Sequence, residues 1–236
     1  MGSKKNIAAV CAAACLSPRT RWIQLQCGGL VGTKWSPGDK VKVSVNGKSR
    51  SYTPSKVDPE RGTMDLVFFL HGRGPGSSWG ASAVAGDEVG VTKPRSSVRG
   101  AKVDAAPDWA MFLGDETTLG LAAALVRALP EETKVLGAIE AALEDAVAIR
   151  NLDLPLDAAV RNGAHGEALQ EWLATTCLPP GQGLVWVCGE HSSVRTLARS
   201  IKQRGGPNLK VRSKAYWKSR GASPGPAIYD TKLAAK

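Results

Sequence analysis

"KVKVSVNGKSRSYTPSKVD", residues 40–58, decides how the chain is read. Valines at 41, 43 and 45 alternate with polar residues, the period of a strand with one buried face. Asn46-Gly47 suits the positive torsions of a two-residue hairpin, so a second strand must return through Arg50, Ser51, Tyr52 and Thr53. Pro54 has no amide hydrogen to give to a ladder and shuts that strand down. An arginine, an aromatic ring and a hydroxyl therefore stand together at the edge of a sheet, as an ordinary turn or as a platform for something flat and anionic.

The surrounding sequence has the same texture up to about residue 98. "RWIQLQC" (21–27), "MDLVFFL" (64–70) and "DEVGVT" (87–92) are further short β-like pieces between glycine, proline and asparagine turns. They predict an antiparallel β-barrel over residues 1–100. After "PRSSVRGAKVDAAPD" (94–108) buried apolar runs are each followed by a turn and a helix-like segment, as in "WAMFLGDETTLGLAAALVRALP" (109–130) and "GLVWVCGEHSSVRTLARSIKQRGG" (183–206). That is the pattern of βα units around a parallel sheet, and it predicts an α/β domain over 101–236 with a boundary near 98–107. "KVLGAIEAALEDAVAI" (134–149) fits either helix or strand by periodicity alone.

Lysine and arginine outnumber aspartate and glutamate by 31 to 21, a net charge of +10 that favours an anionic partner. The basic residues are spread along the chain without a nucleic-acid motif, which predicts no nucleic-acid role. Five cysteines, an odd number, sit in apolar segments and predict reduced core thiols in the cytoplasm. His71, His165 and His191 are far apart, so no zinc cluster is expected. The opening "MGSKKNIAAVCAAACL" resembles a short export signal but runs straight into the strand pattern of residues 21–27, and no stretch has the length of a membrane span.

Three strand-to-helix junctions are candidates for holding phosphate. "DLVFFLHGRGPGSSWGASAVA" (65–85) passes through glycines into a helix opened by Ser77 and Ser78, either a pyrophosphate cradle or a plain loop with a serine cap. "FLGDETTLG" (112–120) puts Asp115 and Glu116 at a helix start, where they cap the helix and repel a phosphate placed on them. In "VCGEHSSV" (187–194) Ser192 and Ser193 are expected caps, and Cys188 with His191 lacks the third group that a nucleophile and base require.

Taken together and in order, "SPRTRW", "RSYT", "HG", "GPG", Trp79, "GD", "GDETTLG", "WVCGE" and "AYWKSRG" resemble the siderophore-interacting flavoproteins, a ferredoxin-reductase-like family also called ferric-siderophore reductases. The resemblance runs from about Val10 to Gly221. It implies FAD on the Arg50, Ser51, Tyr52, Thr53 strand. Arg50 would meet the flavin phosphate, Tyr52 the isoalloxazine face and Thr53 the polar edge of the ring. Phe69, Leu70, His71 and the loop Gly76, Ser77, Ser78, Trp79 would complete that site.

By the same resemblance, NADH or NADPH would enter beside Gly114, Asp115, Glu116, Thr117, Gly189 and Glu190, with a ferredoxin as the other donor, and "KVLGAIEA" becomes a strand. Electrons would pass from the nicotinamide through FAD to a ferric siderophore and release Fe(II), the cofactor carrying the chemistry. Lys218 and Arg220, following Tyr216 and Trp217, are the expected binding face for an anionic siderophore, with Lys34 or Lys93 beside them, unless they are only a solvated tail. The chain departs from the family pattern at "TKPRSS" (92–97), Thr118, Gly120 and Ala215. A flavin reductase with another acceptor and a non-enzymatic siderophore- or anion-binding module are the competing readings.

Overall fold

The computed structural model describes residues 5–72, 74–98 and 106–219. Twelve strands and five helices follow in order: β1 Lys5–Ser17, β2 Thr20–Gln26, β3 Val41–Val45, β4 Lys48–Tyr52, β5 Lys56–Asp58, β6 Thr63–Phe69, α1 Pro75–Ser82, β7 Glu88–Thr92, β8 Trp109–Asp115, α2 Leu119–Val126, β9 Lys134–Ala141, α3 Val147–Asn151, β10 Asp157–Val160, α4 Glu167–Thr175, β11 Gly183–Glu190, α5 His191–Arg204 and β12 Leu209–Trp217.

The first seven strands form one antiparallel sheet in the order β4-β3-β7-β1-β2-β6-β5. Its outermost strands, β4 and β5, are joined by only Thr53, Pro54 and Ser55. A flat sheet would hold them about 29 Å apart at the ordinary strand spacing. Four Cα steps from Tyr52 to Lys56 reach at most about 14 Å, so the sheet has to roll into the expected barrel. Asn46 and Gly47, at φ 47° and 75°, make the two-residue turn between Val45 and Lys48. Ile23, Leu25, Val41, Val43, Leu66 and Phe68 fill the interior, each from the inward phase of its strand. The apolar run at the start of the chain is β1, paired on both sides by β2 and β7.

The second sheet is parallel, in the order β10-β9-β8-β11-β12. Both its faces are covered, which is why β8 and β11 are buried at every position and read as continuous apolar runs. Phe112 and Trp186 face α2 and α3, while Trp109, Met111, Val185 and Val187 face α4 and α5. Residues 134–141 are a strand, as the resemblance implied.

The two units are joined through polar contacts, of which those of Asp145 are the most enclosed. Asp145, fully enclosed, accepts hydrogen bonds from the Ser17 hydroxyl at 2.6 Å, the Arg19 amide at 2.9 Å and Arg19 Nε at 2.6 Å. Asn151 donates to the Leu16 carbonyl at 2.8 Å, and Thr53 and Tyr216 bring their hydroxyls within 3.4 Å. Gly120 lies flat against this seam, since a Cβ there would stand 2.7 Å from the Thr53 carbonyl oxygen.

Three sequence expectations need correction. Helix α1 starts at Pro75 with Gly74 as its cap, because the fixed proline torsion suits the first helical position; Ser77 and Ser78 lie inside the first turn. Helix α5 is capped by Glu190, whose carboxylate takes the amides of Ser192 and Ser193, so those serines receive the cap and do not provide it. Of the five thiols only Cys27 and Cys188 are buried; Cys11 and Cys15 on β1 and Cys177 after α4 are exposed. An apolar stretch of sequence did not guarantee an inward phase.

Removing the Asp145 carboxylate takes away at once the acceptor shared by the buried Ser17 hydroxyl and the half-buried amide and Nε of Arg19. Asp145→Ala is expected to destabilise the chain by about 3 kcal/mol. Urea denaturation measures this, and a midpoint equal to that of the parent would show that the seam does not depend on Asp145.

Candidate functional site

The end of β4 and the start of α1 come together. Gly76 passes so close to Tyr52 that a Cβ would stand 2.6 Å from the phenol oxygen and 3.5 Å from Arg50 Cγ. The Tyr52 ring rests on Phe68 with centroids 4.3 Å apart, and Trp79 packs behind Phe68 at 5.4 Å. Burial pushes the Tyr52 phenol up to about 12, against the opposing pull of Arg50, so it keeps its proton. No side chain caps α1 and no acidic residue stands in its first turn. A helix start left open in this way, beside an exposed guanidinium and an aromatic plate, fits a pyrophosphate joined to a flat ring system.

Thr53 is buried at the seam against Tyr216, while Ser51 is exposed beyond it. Phe69 and Leu70 are half-buried and His71 is exposed; the Arg19 guanidinium lies over the Phe69 ring at 5.6 Å. A cleft of about 890 Å³ opens next to this group, between the barrel and α2, lined by Trp22, Trp35, Pro54, Lys56 and Arg127 among others. None of the expected flavin contacts lines it.

The second group gathers at the carboxyl ends of the parallel strands, where open α/β sheets bind their ligands. Gly114 and Asp115 end β8, Gly189 and Glu190 end β11, and Glu116 and Thr117 follow β8 in a short 3-10 turn. Buried Asp115 accepts from the Thr117 amide at 3.0 Å, the Glu190 amide at 2.9 Å and Trp217 Nε1 at 2.9 Å. Burial raises its carboxyl to about 6, with the Thr117 and Trp217 hydrogen bonds pulling the other way. Burial also opposes the Glu190 charge, yet hydrogen bonds from Ser192, Ser193 and Ser219 hold that carboxyl at about 2.

Three residues that sequence reasoning did not place complete this group. Arg161, just after β10, grips Glu116 with two bonds of 2.9 and 2.7 Å and lies 3.5 Å from Glu140 at the end of β9. Glu140 accepts the Gly166 amide on both oxygens, and burial raises its pKa. His165 meets the Trp217 ring edge-on at 4.8 Å, and burial, followed by Arg161, lowers its pKa. The signal for Glu140 was the strand end itself, legible only once β9 is recognised as a strand. Arg161 and His165 come from a loop whose position depends on the sheet order.

Cys188 is buried and its thiol is pushed up to about 12, by burial first and by Asp115 second, so it is no nucleophile at neutral pH. Lys218 is exposed beyond β12, and Arg220 lies outside the described residues. Among the described residues no group of histidine, cysteine and carboxylate side chains has metal-binding geometry, and no helix is long and apolar enough to cross a membrane.

Residues 24–98 match the siderophore-interacting FAD-binding domain, and residues 107–220 match the siderophore-interacting protein model. The chain belongs to the siderophore-interacting protein family. It carries that family's FAD-binding domain on the barrel. Over 179 residues it is 28% identical to the NADPH-dependent ferric-chelate reductase of Escherichia coli K12, covering 73% of this chain and 67% of that protein. A siderophore utilization protein from T. fusca superposes with a TM-score of 0.76 at 28% identity, over 93% of this chain and 94% of that one. The siderophore-interacting protein SipS from Aeromonas hydrophila shares the fold with a TM-score of 0.74 at 21% identity, over 93% and 94% of the two chains.

The two perturbed carboxyls give opposite pH signatures. Glu190, held low, stabilises the fold above its ordinary 4.5 and loses that contribution as pH falls through about 2. Asp115, held high, favours the fold most below its ordinary 3.8, and that contribution is lost as pH rises through about 6. Tryptophan fluorescence is expected to step with a midpoint near pH 6 as Asp115 titrates against Trp217. The step should vanish in Trp217→Phe and in Asp115→Asn; its survival in both would assign the titration to another group.

Proposed function

We propose that the chain passes electrons from NADH or NADPH through FAD to ferric siderophores in the cytoplasm, releasing the iron as Fe(II). Family membership and the FAD-binding domain match make it an FAD-dependent oxidoreductase of ferredoxin-reductase-like fold. The observation that carries the finer reading is the start of α1, free of any side-chain cap, standing against Arg50 and Tyr52. The name of the curated relative supports both the nicotinamide nucleotide as donor and a ferric chelate as acceptor. The functional division is an FAD-binding unit over 1–100 and a nucleotide-binding unit over 101–236.

In this reading Arg50 and the first-turn amides of α1 bind the flavin diphosphate, with Ser77 and Ser78 beside them. Tyr52, backed by Phe68, orients the ring, and Ser51, Thr53, Phe69, Leu70, His71 and Trp79 enclose it. Bound FAD supplies what the chain lacks, a centre that takes a hydride and gives up single electrons. One nucleotide therefore serves two ferric ions.

Gly114, Asp115, Glu116, Thr117, Gly189 and Glu190 line the approach of the nicotinamide. The carboxylates gathered there repel the nucleotide's phosphates and favour the cationic ring that remains after hydride loss. Lys218, exposed just past Trp217, attracts an anionic siderophore to the same end of the molecule, and Arg220, outside the described residues, adds to the positive charge.

Anaerobic visible spectroscopy with a ferrous-iron trap tests this. The flavin absorbance is expected to bleach with NADPH or NADH and to return as Fe(II) appears on adding a ferric siderophore. A chain that takes up no FAD on reconstitution would overturn the reading, and bleaching without iron reduction would leave a flavin reductase for another acceptor. Arg50→Ala is expected to weaken FAD binding about ten-fold or more, as loss of a charge-assisted phosphate contact should. Reversing both Lys218 and Arg220 to glutamate should raise KM for an anionic chelate; an unchanged KM would remove them from the substrate face.

A further inference from the structure

Between His191 and Ser219 the chain has eight lysines and arginines and no aspartate or glutamate, which accounts for most of its net charge of +10. These residues look scattered in sequence, but the fold puts seven of them on α5 and β12, at one edge of the parallel sheet and on both of its faces. Arg195, Arg199 and Lys202 recur at helical spacing along the exposed flank of α5 and line a groove of about 480 Å³ whose floor includes Val194, Ala198 and Ser213. Next to it runs β12, the outermost strand of the parallel sheet, with no partner on its free edge among the described residues. Leu209 and Val211 of β12 pack on the α5 side and Tyr216 on the other. Alternation therefore sends Lys210, Arg212 and Lys214 to the face opposite α5.

We infer that the α5–β12 edge docks an extended acidic segment of a partner protein, which adds as a strand to β12. Such a strand points alternate side chains to the two faces of the sheet, and each face offers it cations. Lysines on an edge strand alone would serve to keep other strands away. That explanation does not reach the arginines of α5, one sheet-face away. Single-stranded nucleic acid fits less well, since Tyr216 and Trp217 at the end of β12 are turned to the core and to Asp115 and, among the described residues of this strand, leave no ring for base stacking. A membrane surface fits less well too: among the described residues the large exposed apolar ones, Ile7, Val31, Val84, Leu143 and Val160, all lie elsewhere. The inference stands on charge and topology and does not depend on the electron acceptor.

The test uses the FAD-reconstituted full chain and a fluorescein-labelled decapeptide of alternating glutamate and threonine, read by fluorescence anisotropy. Binding is expected at about 150 mM salt, and it should weaken about ten-fold or more in Arg195→Glu/Arg199→Glu/Lys202→Glu. That variant should keep its FAD spectrum and its bleaching by nucleotide. Lys210→Glu/Lys214→Glu, on the opposite face, should also weaken the peptide. The same peptide N-methylated at alternate amides keeps its charge and loses its strand pairing, so it should bind far less. Equal binding of the methylated peptide, no effect of either variant, or tighter binding of a DNA duplex or of phosphatidylglycerol vesicles would each overturn the inference.

Discussion

Three residues between the outer strands of the barrel constrain the rest of the molecule. Because Thr53, Pro54 and Ser55 must bridge β4 and β5, the sheet curls until its two edges come within that reach, and the end of β4 is fixed in space. That curl delivers Tyr52 to the start of α1 and Thr53 to Tyr216 and Gly120 of the second unit. The residues expected to hold a flavin and the seam between the units are therefore consecutive on one strand. Displacement of the seam moves the platform, and Asp145, which holds the far end of the same seam through Ser17 and Arg19, acts on the site without touching it.

Charge is sorted by the second sheet in a way the totals do not show. Asp115, Glu116, Glu140 and Glu190 meet at the strand ends with a single arginine among them, while the outer helix and strand are purely basic. Buried carboxylates at that density persist because each has specific donors: Arg161 for Glu116, the Gly166 amide for Glu140, serines for Glu190, Trp217 for Asp115. The result is a site that disfavours phosphate at one point and, a few residues away, a surface that seeks anions. A long dinucleotide or an extended chelate is oriented by such a gradient before any specific contact forms.

Much of this was legible from residues alone. Alternation in residues 21–27 and 41–45, the Asn46-Gly47 turn and the buried runs at 109–113 and 184–188 were enough for a barrel followed by a parallel sheet. The helix starts were misread because a serine near a helix is a common cap, and here proline's torsion at one helix and a glutamate's reach at the other decided the matter. Glu140, Arg161 and His165 were invisible because their meeting depends on strand order, which places β9 between β8 and β10. The thiols of β1 show the same limit in miniature: alanine-rich sequence leaves the phase of a strand undetermined, and pairing with β2 and β7 sets it.

Strand β12 links the parts that chemistry would have to connect. Its far end supplies Tyr216 to the seam and Trp217 to Asp115, and the residue after Lys218 ties back to Glu190, with Ser219 donating its amide and hydroxyl at 3.1 Å. The same strand carries the cations of the free edge along its length. Trp217 and Ser219 are bound to two carboxyls perturbed in opposite directions, one near 6 and one near 2. Of the two, only Asp115 changes charge near neutral pH, so the Trp217 anchor is the adjustable one and the Ser219 anchor is permanent. A partner or a nucleotide that alters the field at Asp115 therefore acts on the end of β12 through the Trp217 bond and on Glu190, the cap of α5, through its backbone amide.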